Sequence, residues 1–332
     1  MFKRTLCVLV LILTVTFFTE NSYAVNDAKI LRLGLIAAEG HPVTKASKKF
    51  GELVKERTKG AIEIQVFPGG TLGGEVELQD MVSNGTVEMT SIGTGIPANI
   101  NPQFKLLQMP YLWDSQDQMI AFANSPLQDE MNAQYTKKSG VKVLASNWDQ
   151  GIRHTLTKKP IKTLDDFKGV KIRVPQLPEW VEMWKLAGTN PTQLPFPEVY
   201  TSLQQGVVDA MECPLYWIFS GSFYEQAKYL ILTGHIMYYN QLMINEKKFN
   251  ELSAEHQKIL LDAAKEAGEY ETELTRAIDT DLRAKMEAKG VTFMEIDRAQ
   301  MAQKVRPVLE SWTKVFGADL LGKVDKFKSE NK

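Results

Sequence analysis

Short apolar segments alternate with helical patterns along the first third of the chain. Apolar side chains predominate over residues 31–36, and residues 62–66 alternate between apolar and polar side chains, so both segments predict strands. Between them, apolar residues recur at helical spacing over 43–54. A second helical pattern at 75–82 precedes a third predicted strand at 87–92. This order of strands and helices predicts a largely parallel sheet with helices on both faces.

The same order continues through the middle third. Strands are predicted at 141–145, 170–174 and 207–211, an extended segment at 192–196, and helices at 164–167, 180–186, 200–203 and 219–227. Pro175 follows one predicted strand and Gly206 follows one predicted helix, so both residues mark where elements end. A second α/β unit is therefore expected after the first.

One long helix is predicted in the last third. Ser253 is a good N-cap because its hydroxyl accepts a hydrogen bond from a free backbone N–H, no proline interrupts residues 254–289, and Gly290 suits the position after a helix. Such a helix extends about 54 Å at 1.5 Å per residue. We expect it to span two domains or to bend, with Gly268 as the softest point. A strand at 291–296 and a helix at 301–316 are predicted to follow.

The first residues have the pattern of an export signal. Lys3 and Arg4 precede an apolar run over residues 5–18, which is too short for a comfortable membrane span. Small residues, Ser22 and Ala24, then stand where a signal peptidase cleaves. The alternative is an N-terminal membrane anchor. We predict a cleaved signal peptide over residues 1–24 and a soluble mature protein in the periplasm.

Composition favours an ordinary globular protein of two domains. The chain has 332 residues, of which 44% are hydrophobic and 24% charged. Its formal net charge of -1 gives no indication of a nucleic-acid partner. Beyond the predicted signal peptide Cys213 is the only cysteine, so no intramolecular disulfide is expected.

The sequence lacks the familiar spacings of catalytic and metal-binding residues. The histidines are His41, His154, His235 and His256. None of them stands in an H-E-x-x-H motif, and neither a G-x-S-x-G elbow nor a phosphate-binding loop is present. Catalytic residues brought together from distant segments of the chain remain an alternative. We nevertheless expect a binding protein without a metal or a cofactor rather than an enzyme.

Five short motifs together resemble one family of exported receptors. They are F-P-G-G-x-L-G-G-E at 67–75, M-P-Y-L at 109–112, G-x-R-x-T at 151–155, D-x-K-G-x-K-I-R-V-P at 166–175 and P-F-x-E-V-Y-x-x-L-Q-x-G-V-V-D at 195–209. Each motif alone is weak, but they are distributed over essentially the whole mature chain. The sequence resembles the extracytoplasmic solute receptors of tripartite ATP-independent periplasmic (TRAP) transporters, also called DctP-type receptors.

The resemblance implies a two-lobed fold of the periplasmic-binding-protein type. Each lobe is expected to hold a mixed, mostly parallel sheet flanked by helices. Lobe I is assigned residues 25–150 and about 238–278, lobe II residues 151–237 and about 290–332, and a long helix at 253–289 braces both. The ligand is expected to be enclosed as the lobes close on it.

The resemblance also places a carboxylate clamp at Arg173, in the K-I-R-V-P strand. Guanidinium suits this role, since its paired N–H donors match a carboxylate and it keeps its charge away from water. Arg153 is the second cation that the family places at the site, with a structural salt bridge as the alternative. The other expected ligand-binding residues are Phe196, Glu75, Gln176, Trp217, Cys213 and His41, and for several of them core packing is the alternative.

The sequence departs from one branch of the family at Cys213. Sialic-acid-type members carry an asparagine there, whose amide binds the ligand carboxylate, whereas a thiol is a weak donor. Gly93 stands near a position where those members carry a glutamate. Either the two arginines hold the acid group with less help, or Glu212 or a water substitutes. Both departures argue against sialic acid.

We therefore expect a receptor for a carboxylate-bearing metabolite, with uronates and aldonates favoured. The alternatives are keto, hydroxy, aromatic or C4-dicarboxylic acids, an exported hydrolase or lyase, and a receptor for an ATP-driven importer or a chemoreceptor. The resemblance implies the small and the large membrane subunit of a TRAP permease as partners. The receptor itself is expected to be a monomer.

Overall fold

The computed structural model describes residues 28–331, except the side chains at positions 279 and 280. The predicted signal peptide, residues 1–24, lies outside the described residues. Nine strands of the described chain form one sheet: β1 (Lys29–Gly34), β2 (Ile62–Phe67), β3 (Met89–Gly93), β4 (Val141–Thr157), β5 (Lys171–Val174), β6 (Asn190–Gln193), β7 (Ala210–Pro214), β8 (Tyr229–Asn245) and β9 (Thr292–Met294).

Helices cover both faces of this sheet. Over residues 28–331 they are α1 (Pro42–Arg57), α2 (Glu75–Asn84), α3 (Gln116–Ala123), α4 (Pro126–Ser139), α5 (Pro178–Ala187), α6 (Val199–Gln204), α7 (Leu215–Ser220), α8 (Glu246–Asn250), α9 (Ala254–Ala288), α10 (Arg298–Val305), α11 (Pro307–Phe316) and α12 (Ala318–Glu330). Short 3-10 helices lie at Pro97–Asn99, Pro102–Gln108, Leu164–Phe167, Phe196–Glu198 and Phe223–Glu225. Among the described residues, no helix has both the length and the apolar character that crossing a membrane requires.

Two long strands join the two lobes of the fold. The order in the sheet is β2-β1-β3-β8-β4-β7-β5-β6, and β9 pairs with β8 outside this path. Strands β4 and β8 pair antiparallel in the middle, so that β1–β3 lie on one side, in lobe I, and β5–β7 lie on the other, in lobe II. Within each lobe the flanking strands are parallel. The expected two-lobed α/β fold with mixed sheets is confirmed.

The crossing strands are the largest correction to the predicted elements. The prediction ended β4 at residue 145, whereas the strand continues to Thr157, and β8 was not predicted. Their pairing contains register shifts, one of them between Asp149 and Gly151, which has a φ of 86°. Polar residues occupy this stretch of β4, so it shows neither the alternation nor the apolar run by which a strand is recognised.

Two predicted helices also differ from the structure. The helix predicted at 219–227 is wrong, because α7 begins earlier, at Leu215, and ends at Ser220. The single helix predicted at 301–316 is instead α10 and α11, which meet at Pro307. Proline has no N–H to donate within a helix but is well tolerated at its first position, and here it starts a new helix.

The long helix α9 begins as predicted and crosses β4 closely. Ser253 caps its first turn by accepting a hydrogen bond from the His256 N–H. In the middle of the helix, the Trp148 indole donates to the Ala264 carbonyl at 3.2 Å. A Cβ at Gly268 would lie only 2.4 Å from the Asn147 side-chain oxygen. Gly268 therefore permits the close approach of helix and strand.

A buried carboxyl group marks the same crossing. Glu271 of α9 accepts hydrogen bonds at Oε1 from Gln150 of β4 at 3.0 Å and from Thr275 at 2.8 Å. Its Oε2 is buried and has no partner among the described residues. Burial raises the pKa of Glu271 well above its ordinary value, and the nearby charge of Asp149 raises it further. Folding therefore favours the protonated form of this carboxyl group.

We predict that Gly268→Ala lowers stability although alanine is the better helix former. Alanine gains about 1 kcal/mol over glycine in an open helix position, but here its methyl group would overlap Asn147 and Trp148. Overpacking of this kind costs about 1–3 kcal/mol. Gly322→Ala in α12 is the matched control, because its Cβ would meet nothing within 4 Å. Urea unfolding should show the control stabilised and Gly268→Ala destabilised, and equal stabilisation of both would contradict the close crossing.

We also predict that Glu271→Gln stabilises the protein at neutral pH and much less in acid. In the unfolded chain this glutamate loses its proton near pH of about 4.3, whereas the folded state holds the proton to higher pH. Wild-type stability is therefore lost as the pH rises above the unfolded value. Glutamine does not ionise, so the melting temperature of the variant should exceed that of the wild type by a margin that grows as the pH rises above about 4. Glu273→Gln, exposed on the same helix, is the control, and a margin independent of pH would contradict a protonated Glu271.

Candidate ligand-binding site

A cavity lies between the lobes, beside strands β5 and β7 and the two crossing strands. Its lining residues come from both lobes and from the crossing strands: Ile36, Glu75, Arg153, Arg173, Pro175, Phe196, Cys213, Trp217, Tyr238 and Asn240. A second depression lies on the surface between α4, β4 and α9, but its charged residues, Asp129, Asp262 and Lys265, are exposed. Of these two sites, only the interlobe cavity is lined by buried charged residues.

Arg173 lies near the carboxyl end of β5 and is only 2% exposed. Its Nε and Nη2 both donate to the Leu194 carbonyl, at 2.9 and 2.7 Å. The guanidinium carbon lies 5.8 Å from the centre of the Phe196 ring. Nη1 has no hydrogen-bond partner within residues 28–331. Burial lowers the pKa of Arg173, but an arginine keeps its proton in proteins. The side chain is thus fixed in place with donors left over.

Arg153 of β4 is held in a buried ion pair with Glu212 of β7. Its Nε and Nη2 donate to the two carboxylate oxygens at 2.6 and 2.9 Å. The guanidinium also lies between two rings, 4.7 Å from the centre of Trp180 and 4.8 Å from that of Tyr238. Burial by itself would lower the pKa of Arg153, but the charge and hydrogen bonds of Glu212 and the neighbouring groups together outweigh it, and the net shift is upward. Arg153 thus forms the structural salt bridge that was the alternative to ligand binding, and it does so at the cavity wall.

A chain of hydrogen bonds extends from Glu212 away from the cavity. Burial would raise the pKa of this carboxyl group, yet Arg153 and His235 together lower it, so the group is ionised and only accepts. The His235 Nε2, 3.1 Å away, must then donate to it. Burial lowers the pKa of His235, so the ring is neutral and its Nδ1 accepts from the Thr233 hydroxyl at 2.9 Å. That hydroxyl in turn accepts from Thr155. This chain fixes the orientation of Glu212 and, through it, of Arg153.

Glu75 faces the arginines from lobe I, at the first position of α2. Its Oε1 accepts a hydrogen bond from the Gly93 N–H at 3.3 Å. Burial raises the pKa of Glu75, although Gly93 and the charge of Arg173 oppose the shift. The cavity therefore offers cationic donors on the lobe II side and an oxygen acceptor on the lobe I side.

Cys213 is a neutral component of the lining. It is buried, and its sulfur lies 3.7 Å from Nη2 of Arg153. Burial raises the pKa of the thiol to about 12. A thiol that stays protonated is neither a strong nucleophile nor a strong donor.

Aromatic side chains form one wall of the cavity. The rings of Phe196 and Trp217 meet edge to face with centres 5.2 Å apart. His41 lies behind this wall, 4.2 Å from the Trp217 ring, and is not part of the lining. Its Nδ1 accepts the Val43 N–H at 3.2 Å and so caps α1. Burial lowers the pKa of His41 to about 3, which makes Nε2 the protonated nitrogen.

Gln176 lies away from the lining in this structure. Its side chain is half-buried, and its backbone carbonyl accepts a hydrogen bond from Asn99 at 3.5 Å. The lining instead contains two residues of β8, Tyr238 and Asn240, that the sequence analysis did not propose. The signal that could have found them is the pair of apolar segments at 230–232 and 236–239, which no predicted element covers. They indicate a strand, on which positions 238 and 240 share a face.

A family model confirms the relationship that the motifs indicated. Residues 33–315 match the model of bacterial extracellular solute-binding proteins, family 7. The 2,3-diketo-L-gulonate-binding periplasmic protein of Escherichia coli is 34% identical to this chain over 93% of it and 94% of the relative.

Solved structures with the same fold contain sugar acids. A TRAP periplasmic solute-binding protein from Xanthobacter autotrophicus, with bound β-D-galacturonate, superposes with a TM-score of 0.86 at 30% identity and covers 90% of this chain and 99% of its own. Another from Roseobacter denitrificans, with bound L-galactonate, gives a TM-score of 0.85 at 33% identity over 90% and 98%. The match along most of the chain, the shared fold and the interlobe cavity agree, and the protein belongs to the family 7 extracellular solute-binding proteins, the solute receptors of TRAP transporters.

Proposed function

We propose that this protein is a periplasmic receptor that binds a monocarboxylic sugar acid, a uronate or an aldonate, between its lobes. The observation that carries the proposal is Arg173 at the cavity wall, held by the Leu194 carbonyl and without a carboxylate partner in the described part of the chain. A ligand carboxylate at Nη1 would supply the missing charge. The relatives with bound galacturonate and galactonate support the same ligand class.

The balance of charge in the cavity favours a single carboxylate. Arg153 is neutralised by Glu212 at 2.6 Å, which leaves Arg173 as the cation available to a guest. A second carboxylate at the far end of the ligand would face the oxygen atoms of Glu75 rather than another cation. A C4-dicarboxylic acid is therefore a poorer candidate than a monocarboxylic acid, since a buried unpaired charge is costly.

The remaining lining suits a hydroxylated carbon skeleton. Glu75 offers an oxygen that accepts from hydroxyl groups, and the faces of Phe196 and Trp217 suit the C–H surface of a sugar. A keto or aromatic acid would leave the polar groups on the lobe I side without partners. An exported hydrolase or lyase would need a reactive group in the cavity, and the protonated thiol of Cys213 is not one.

Delivery to the membrane would follow from lobe closure. The closed state gains contacts from both lobes to the ligand, and ligand binding therefore shifts the population toward it. The membrane subunits of the permease would recognise the closed, loaded receptor. We propose that a cleaved signal peptide exports the chain to the periplasm and that it acts there as a monomer.

We predict that Arg173→Ala weakens the binding of the sugar acid at least tenfold and that Arg173→Lys recovers little of the loss. Truncating one partner of a buried charge pair costs about 2–5 kcal/mol. Lysine carries the charge, but one ammonium group replaces a planar fork that bonds the Leu194 carbonyl and the ligand together. Isothermal titration calorimetry with D-galacturonate, D-glucuronate and D-gluconate measures the effect.

Lys171→Ala is the matched control for this substitution. Lys171 lies on the same strand two residues away, is exposed, and pairs with Asp209 at 3.7 Å. Its removal should leave the dissociation constant unchanged. An unchanged dissociation constant for Arg173→Ala would instead show that the acid group binds elsewhere.

A further inference from the structure

Two residues of the crossing strand β8 form the floor of the cavity. Tyr238 and Asn240 are separated by one residue, so their side chains lie on the same face of the sheet, and both line the cavity. Asn240 is in register with Gly93 of β3 on one side and with Trp148 of β4 on the other. The pair therefore lies on a strand that pairs with both β3 and β4.

The side-chain oxygen of Asn240 is buried without a partner among the described residues. The residue is 3% exposed, and its Oδ1 has no hydrogen-bond partner among the described residues. A buried amide left unsatisfied costs free energy comparable to a lost hydrogen bond. Groups of this kind at a cavity wall are satisfied when a polar guest binds.

The hydroxyl of Tyr238 is likewise unpaired within residues 28–331, although its ring is well fixed. The ring lies against the Arg153 guanidinium at 4.8 Å and near Trp180 at 6.5 Å. Its hydroxyl oxygen occupies the space beside Gly93, where a Cβ would lie 1.4 Å from it. Any other residue at position 93 would thus displace this hydroxyl.

We propose that Tyr238 and Asn240 determine specificity by binding hydroxyl groups of the ligand. Gly93, which has no side chain, leaves the space that the Tyr238 hydroxyl occupies. The inference rests on the proposed function, because it assumes that Arg173 holds the carboxylate of the same guest. A site with fixed polar groups rejects analogues that lack their partners, since those groups are then buried unsatisfied. The receptor should therefore bind a sugar acid at least a hundredfold more tightly than an acid of the same skeleton without hydroxyls.

The chain offers a matched pair of variants for the test. Tyr238→Phe removes a hydroxyl that bonds no described residue and keeps the ring that packs on Arg153. Tyr239→Phe, the neighbour on the opposite face, removes a buried hydroxyl that donates to Gln128 at 2.8 Å. If Tyr238 acts on the ligand and Tyr239 on the fold, the two variants should have opposite phenotypes.

Calorimetry and thermal unfolding together measure these phenotypes. The first probe is the sugar acid, among D-galacturonate, D-glucuronate and D-gluconate, that binds the wild type most tightly. The second probe is its hydroxyl-free counterpart, which is tetrahydropyran-2-carboxylate for a uronate and hexanoate for gluconate. Tyr238→Phe should weaken the sugar acid about tenfold, leave the counterpart unchanged and leave the melting temperature of the free protein unchanged. Tyr239→Phe should lower the melting temperature and leave the affinity ratio unchanged.

Asn240→Leu and Gly93→Ala provide independent variants. Asn240→Leu removes the amide at similar volume, and Gly93→Ala displaces the Tyr238 hydroxyl. Both should reduce the affinity ratio of sugar acid to counterpart at least tenfold, whereas Arg173→Ala should weaken both acids and preserve the ratio.

The outcomes separate this inference from the proposed function. If the wild type binds sugar acids through Arg173 but neither Tyr238→Phe nor Asn240→Leu changes the ratio, the inference is wrong and the proposed function stands. If the wild type binds none of the three sugar acids, both are wrong.

Discussion

Two guanidinium groups are buried beside one cavity, and the protein supplies different partners for their charges. Removing a cation from water is costly unless a partner replaces the lost hydration. Arg153 receives a full carboxylate from Glu212, whose own orientation is fixed by His235. Arg173 receives only the Leu194 carbonyl. Because only Arg153 has a carboxylate partner, the charge of Arg173 is left for a ligand, and the cavity therefore suits an anion.

The two strands that cross between the lobes position the residues of the cavity. Strand β4 carries Arg153 and strand β8 carries Tyr238, so both lie at the point where the lobes join. Helix α9 packs on the same region, where Gln150 links the Trp217 indole at 3.0 Å to Glu271 at 3.0 Å. An aromatic residue of the cavity wall is thereby connected to the helix that braces the fold. One strand thus connects the cavity wall to the long helix.

The sequence predicted local features well and long-range pairings poorly. The ends of α9 follow from Ser253 and Gly290, and the end of β5 follows from Pro175, because caps and proline act on their immediate neighbours. The extension of β4 beyond residue 145 could not be predicted, since its polar residues are satisfied by partners in α9 more than a hundred residues later.

The candidate site shows the same division between local and distant information. Arg173 was placed by a motif that the family shares, but the partner of Arg153 depends on the register of β4 with β7, which brings residues 59 apart in sequence together. Tyr238 and Asn240 escaped notice because the strand that carries them was not recognised. A buried amide without a partner has no signature in the sequence, since it is visible only once its surroundings are known.

A crystal structure with the most tightly bound sugar acid would show which group holds its carboxylate. We expect the ligand carboxylate within about 3 Å of the Arg173 Nη1, with the bonds from Arg173 to the Leu194 carbonyl and from Arg153 to Glu212 retained. A carboxylate bound elsewhere in the cleft, or Arg173 turned toward bulk water with the ligand in place, would show that Arg173 is not the carboxylate-binding residue.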